Sequence, residues 1–313
     1  MRVRLRKCIT LLPKALSEDD PEVVHDLRVW SRRLQQVVVT IFPGARQPEA
    51  RSMVRALRRA RRSLGGWRDC DVVIAMLQRK LRSVQDDEQK LAWEMVLASA
   101  RRQLQKQMQR ARRRIANRKM FTLAQKGEQL LKQNPTAPGQ AQLSPIATLE
   151  ASIASAYVDW RDGLGRAKAS DDPAGIHAFR IQSKRLRYRI ELLRDLGSAS
   201  AQTALAALKS LQDELGRWHD NIAFTRVTAE GLADPDFLMQ HPLAAAAILQ
   251  NLDHEGARHM KKVRRLLTRM YEEADSSPLH EAIEEFRKAA QPPVEPIEAA
   301  PELAPLEAVS QAS

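Results

Sequence analysis

The chain contains a long segment twice. Residues 19–34 read DDPEVVHDLRVWSRRL and residues 171–186 read DDPAGIHAFRIQSKRL. At an offset of 152, Asp19, Asp20, Pro21, His25, Arg28, Ser31, Arg33 and Leu34 recur as Asp171, Asp172, Pro173, His177, Arg180, Ser183, Arg185 and Leu186. A second echo, at an offset of 151, sets LGGWRDCDV at 64–72 against LGRWHDNIA at 215–223. A weaker third sets the basic run Gln109–Met120 against Arg258–Met270. Three echoes in one order imply duplication of a unit of roughly 140 residues. Two copies of one supersecondary design must then pack together.

Composition says what the unit is made of. Aromatic residues are 4% of the chain and Gly only 12 of 313 residues, whereas sheet proteins lean on aromatics and Gly turns. Ala, Leu, Arg and Gln dominate, and these favour helix. Each unit reads as four helices: about 2–16, 21–42, 47–83 with a break near Gly65–Gly66, and 86–131 in the first. In the second they are about 146–168, 173–196, 199–230 and 236–288, with a break near Ser276–Pro278. The Asp-Asp-Pro triplets start helices, because Asp caps free N–H groups and Pro fits the first turn. The expected fold class is all-α, two pseudo-symmetric four-helix bundles.

Residues 1–288 form the expected folded region, with a first unit at 1–132, a Pro/Gly/Ser/Thr linker at 133–147 and a second unit at 148–288. Residues 289–313 are Pro/Ala/Glu-rich, carry four Glu and no basic residue, and read as a disordered tail. The chain carries 51 Lys and Arg against 38 Asp and Glu, a formal charge of +13. Such an excess excludes an acidic disordered chain and points to a polyanionic partner. Arg outnumbers Lys more than twofold, and its planar fork matches phosphate oxygens bidentately.

Helical geometry separates a core side from a cationic side. In the first copy Leu27, Leu34, Val38 and Ile41 cluster on one face, with His25, Arg28, Arg32 and Gln36 opposite. The second copy sets Phe179, Leu186, Ile190 and Leu193 against His177, Arg180, Lys184 and Tyr188. Arg51, Arg55, Arg58 and Arg62 continue the pattern as one stripe, whose counterpart weakens to Gln202, Ala206, Lys209 and Asp213. The fourth helices add Arg102, Lys106 and Arg113, then Arg258, Lys262, Arg265 and Arg269. One such stripe is ordinarily a solvated face. Like charges at i, i+4 destabilise a helix by about 0.2–0.5 kcal/mol per pair, so several stripes of one sign call for a ligand.

The motif H-x-x-R-x-x-x-[RK]-R-L, present twice and each time followed by an LGxWxD segment, resembles the CHAD family of all-helical histidine domains over about residues 1–288. The resemblance implies two pseudo-symmetric halves whose basic faces surround a central groove or channel, and binding of inorganic polyphosphate, often at polyphosphate granules. Motif residues carried over are His25, Arg28, Arg32 and Arg33, then His177, Arg180, Lys184, Arg185 and Arg187. Gln35 and Gln36 stand where the second copy has Arg187 and Tyr188, so the two halves are unequal. Such domains often accompany a CYTH-type triphosphatase, but the chain has no E-x-E-x-K signature.

The expected function is therefore non-catalytic polyphosphate binding in the cytoplasm, associated with granules and their other proteins, with nucleic acid only a weaker electrostatic competitor. Alternatives are a nucleic-acid binder, a histidine phosphocarrier and a metal chelator. Single-strand readers stack bases on aromatics, and here no basic–aromatic alternation occurs. No second ligand stands at metal spacing beside His25 or His177, and His254 and His259 are five apart. Cys8 and Cys70 form no C-x-x-C pair and read as packed thiols. No catalytic residue, cofactor or metal is expected. No apolar run approaches a membrane span, and no membrane partner is expected.

Overall fold

The computed structural model describes residues 1–42, 47–116, 122–132, 145–170 and 172–290. Asp171, most of the expected linker and the segment 291–313 lie outside these residues. Among the described residues there are helices and no strand. They are α1 (Arg2–Ser17), α2 (Pro21–Ile41), α3 (Pro48–Ser63), α4 (Gly65–Leu81), α5 (Asp87–Ala116) and α6 (Leu123–Lys132) in the first half. The second half has α7 (Pro145–Ala169), α8 (Pro173–Asp195), α9 (Ser200–Leu232), α10 (Pro235–Gln240), α11 (Pro242–Glu272) and α12 (Pro278–Ala289).

The repeated triplets start helices as expected. Asp20 Oδ1 accepts from Glu22 N at 2.8 Å, and Asp172 Oδ1 accepts from Ala174 N at 2.9 Å. Pro21 and Pro173 open α2 and α8. The break expected near Gly65–Gly66 falls at Leu64, which stays near helical geometry (φ −83°, ψ −3°), so α3 and α4 meet as a slight offset. The helix expected at 86–131 is instead α5 and α6, with 117–121 outside the described residues. The helix expected from 236 is interrupted early. His241 precedes Pro242, which disfavours helical backbone before it, and takes φ −135°, ψ 51°.

Burial sorts the helices into three cores. The first packs α1, α2 and α3 with Trp67, the C-terminal half of α5 and α6. The second packs α7, α8, the N-terminal part of α9, the C-terminal part of α11 and α12. The third is shared, and the repeat pattern alone did not reveal it. Val73 and Leu77 of α4 and Trp93, Val96 and Leu97 of α5 interdigitate with Phe224 of α9 and Ile248 and Leu252 of α11. Trp93 stacks on Phe224 with centroids 5.8 Å apart. A side chain at Gly231 would come 3.3 Å from the Val96 Cα, so Gly there lets α9 lie close on α5. The two halves are thereby welded into one body.

Both cysteines are buried, as packed thiols should be. Burial pushes Cys8 up to about 12 and Cys70 up to about 11, so both stay protonated.

Candidate anion-binding cleft

Where α2 crosses α8, the faces opposite the two outer cores meet. On α2 the buried Val24, Leu27, Leu34 and Val38 fix the helix rotation. Ile41, expected on that side, is 37% exposed at the helix end. On α8 Ile176, Phe179, Leu186, Ile190 and Leu193 do the same. What remains points into a cleft of about 890 Å³, walled by α3, α4 and the middle of α9.

Ten Arg and Lys side chains line the cleft against two Asp, Asp69 and Asp220. Nine expected site residues are among its lining: His25, Arg28, Arg32, Arg58, Arg62, His177, Arg180, Lys184 and Arg185. Sequence reasoning missed Arg61, Arg68, Arg189 and His219. Arg68 and His219 were legible, because they fill equivalent places between Trp and Asp in the second echo. Arg61 and Arg189 were not, since each sits beside its stripe.

Hydrogen bonds hold the first wall. Arg28 donates to Arg61 O at 3.1 Å, and Arg61 donates to Ser31 O at 3.1 Å and to Gln35 Oε1. The second half repeats the contact in weaker form: Gln212, at the place of Arg61, donates to Ser183 O at 3.4 Å. Other cations are left over. Among the described residues, Arg32, Arg58, Arg62, Arg180 and Lys184 have no hydrogen-bond or ion-pair partner. The Arg180 Nε is buried without an acceptor.

Burial and then crowded like charges lower the pKa values of the cleft's cations. Burial, then Arg180, Arg32 and Arg28, bring Lys184 down to about 7. Burial first, and next Arg32, lowers both Arg28 and Arg61 to about 10, still fully charged at neutral pH. His25 is lowered by burial and then by Arg68, and His177 by burial and then by His219. The His177 and His219 rings stack with centroids 5.4 Å apart.

The other expected residues stand elsewhere. Arg33 and Arg187 both hold Glu191, which is 2% exposed, at 3.0 and 2.7 Å. Lys209 pairs with Asp213 at 3.4 Å. Arg51 and Arg55 lie on exposed α3 surface outside the cleft lining. Arg102, Lys106 and Arg113 on α5, and Arg258, Lys262 and Arg265 on α11, are exposed and face away from the cores. The rows on α2 and α8 thus converge with Arg58 and Arg62 of α3, whereas Arg51, Arg55, Lys209 and the stripes of α5 and α11 do not join them.

Chemically, the cleft presents fixed guanidiniums with free N–H groups in a concave, partly desolvated setting, which concentrates multiply charged anions. Among the described residues no group of three His, Cys, Asp or Glu is placed to hold a metal ion. Among the described residues, no helix is long and apolar enough to cross a membrane.

Comparison with known proteins agrees with this architecture. The chain is similar to a crystal structure of the CHAD domain from the plant Ricinus communis, with a TM-score of 0.56, 24% identity, and coverage of 91% of this chain and 88% of that one. It is 23% identical over 222 residues to uncharacterized proteins of two Mycobacterium tuberculosis strains, CDC 1551 and H37Rv. Those matches cover 68% of this chain and 41% of the relatives, so the aligned part is under half of their length. The family model described as CHAD domain matches residues 1–229, and the chain belongs to the CHAD domain family.

Proposed function

We propose that the protein binds inorganic polyphosphate in the cleft between α2 and α8, without catalysing a reaction. The observation that carries this reading is the meeting of Arg28 and Arg32 with Arg180 and Lys184, from opposite halves, with most of their N–H groups free. An anion of several charges relieves the self-repulsion among them. A chain of phosphates supplies one charge per unit along a flexible backbone, so it can follow a curved row of guanidiniums. Membership of the CHAD family supports the same ligand. Association with polyphosphate granules and their proteins, in the cytoplasm, is part of the proposal.

The test is titration calorimetry with long-chain polyphosphate, orthophosphate and single-stranded RNA at one ionic strength. Polyphosphate should bind tightest and displace RNA. RNA binding as tightly, and resisting displacement, would transfer the assignment to nucleic acid.

A further inference from the structure

We propose that Lys184 is a modification site for acyl phosphates, which dock by their phosphate on Arg28, Arg32 and Arg180 and pass the acyl group to the Lys184 Nζ. The proposal rests on reading the cleft as a phosphate site.

Lys184 lies on α8 and lines the cleft. Facing it are Arg28 and Arg32 of α2, Arg180 one turn back, Asp220 of α9, and Tyr188 one turn on. Among the described residues its ammonium has no hydrogen-bond or ion-pair partner. Four other lysines are engaged: Lys80 with Glu255 at 3.0 Å, Lys126 with Ser52 at 2.6 Å, Lys168 over the Tyr271 ring, and Lys209 with Asp213. Lys184 combines a partner-free amine with the cleft position that it shares with Arg28, Arg32 and Arg180. Burial first, and those guanidiniums next, keep the amine's proton loosely bound, while the guanidiniums also offer a phosphate their N–H groups. With its pKa near 7, Lys184 is about half free amine at pH 7, against roughly one part in 2,500 for an exposed lysine.

The step balances. The Nζ lone pair forms a bond to the acyl carbon, and the bond from that carbon to the bridging phosphate oxygen breaks. Its electron pair leaves on inorganic phosphate, which takes the proton released from nitrogen. Nothing is oxidised or reduced. The product is a neutral amide amid Arg28, Arg32 and Arg180, so acylation removes a central positive charge and weakens the cleft's hold on a polyanion.

The full chain is incubated with acetyl phosphate at pH 7, and acetylation of each lysine is followed by peptide mass spectrometry. Lys184 should react at least about tenfold faster than the exposed Lys90, a factor set by the free-amine fractions less the lower nucleophilicity of a weaker base. Excess polyphosphate should protect Lys184 and leave Lys90 unaffected. The uncharged reagent N-acetoxysuccinimide should show a smaller preference for Lys184. Arg32→Gln, whose side chain has no partner to lose, should slow Lys184 severalfold. Equal rates at Lys184 and Lys90, or an equal preference with the uncharged reagent, would overturn the proposal. An unchanged far-UV circular dichroism spectrum and cooperative melt of Arg32→Gln show that slower labelling is not loss of fold. Failure of Lys184 to react while polyphosphate still binds removes this inference alone. Reaction at Lys184 that polyphosphate neither slows nor accompanies by binding removes the polyphosphate reading and keeps the acyl phosphate one.

Discussion

Arg33 in the first half donates through Nε to Glu191 in the second across 3.0 Å, and Arg187 holds the other oxygen of the same carboxylate at 2.7 Å. A buried carboxylate with two guanidiniums is neutralised twice over, and its bond to Arg33 ties α8 to α2. Arg4, 6% exposed, adds a second tie by donating to Asp195 at 2.6 Å and to Arg33 O at 3.0 Å.

Glu191→Ala should therefore destabilise the protein by about 1–3 kcal/mol, the range for losing charge-assisted hydrogen bonds to partly exposed partners. Arg33→Ala should cost less, because Arg187 still neutralises Glu191. Urea unfolding of the two variants and the double mutant checks this, and additive losses would contradict a shared carboxylate.

The core and the cleft should separate by mutation. Leu27, 1% exposed, packs in the first core, and Leu27→Ala should cost about 2–5 kcal/mol with little change in ligand affinity. Arg32→Ala should leave the empty protein as stable as before, or more so, because it removes like-charge repulsion and no hydrogen bond. Arg28→Ala is less clean, since Arg28 also holds Arg61 O. Thermal melts with and without polyphosphate distinguish the three.

Stability of the empty protein should rise with pH above neutrality. Lys184 has its pKa lowered by folding from 10.5 to about 7, so between these values the unfolded chain binds more protons and stability rises with pH. His25 and His177 are also lowered, which adds a rise approaching 6.5 from below. Polyphosphate affinity should run the other way. A bound polyanion raises these pKa values again, so binding takes up protons and tightens as pH falls from about 8 through 7. Calorimetry in buffers of different ionisation enthalpy reads the uptake, which Lys184→Met should reduce.

Binding should also weaken steeply with salt, since neutralising a linear polyanion releases its counterions and log K falls with log salt. Affinity that holds between about 50 and 500 mM salt would contradict an electrostatic cleft.

How much of this was readable from the sequence depends on what fixes each feature. Helix starts at Asp20 and Asp172 are local, set by one side chain and the proline after it, and they read correctly. The cationic rows of α2 and α8 read correctly because the apolar residues opposite them fix the rotation of each helix. The fates of Arg33, Arg187 and Arg61 were not readable, since a residue half a face off the core turns toward whatever acceptor the neighbouring helix presents. Glu191, an acid at a core position of α8, was the one available sign that a cation must come to it. The third core was hidden for a similar reason: the ends of α4, α5, α9 and α11 pack against the other half, and a repeat within one chain does not say how its copies meet.

The central claim is that the cleft, and not the outward stripes, holds the polyanion. Two charge-matched double variants test it at one salt concentration: Arg32→Ala with Arg180→Ala inside, and Arg102→Ala with Arg265→Ala outside. Both lower the net charge equally. The inner pair should weaken polyphosphate binding by about tenfold or more, the loss expected from at least one charge-assisted hydrogen bond, and the outer pair by less than about threefold. Equal losses in the two variants would mean that net charge alone attracts the ligand, and that the cleft is not its site.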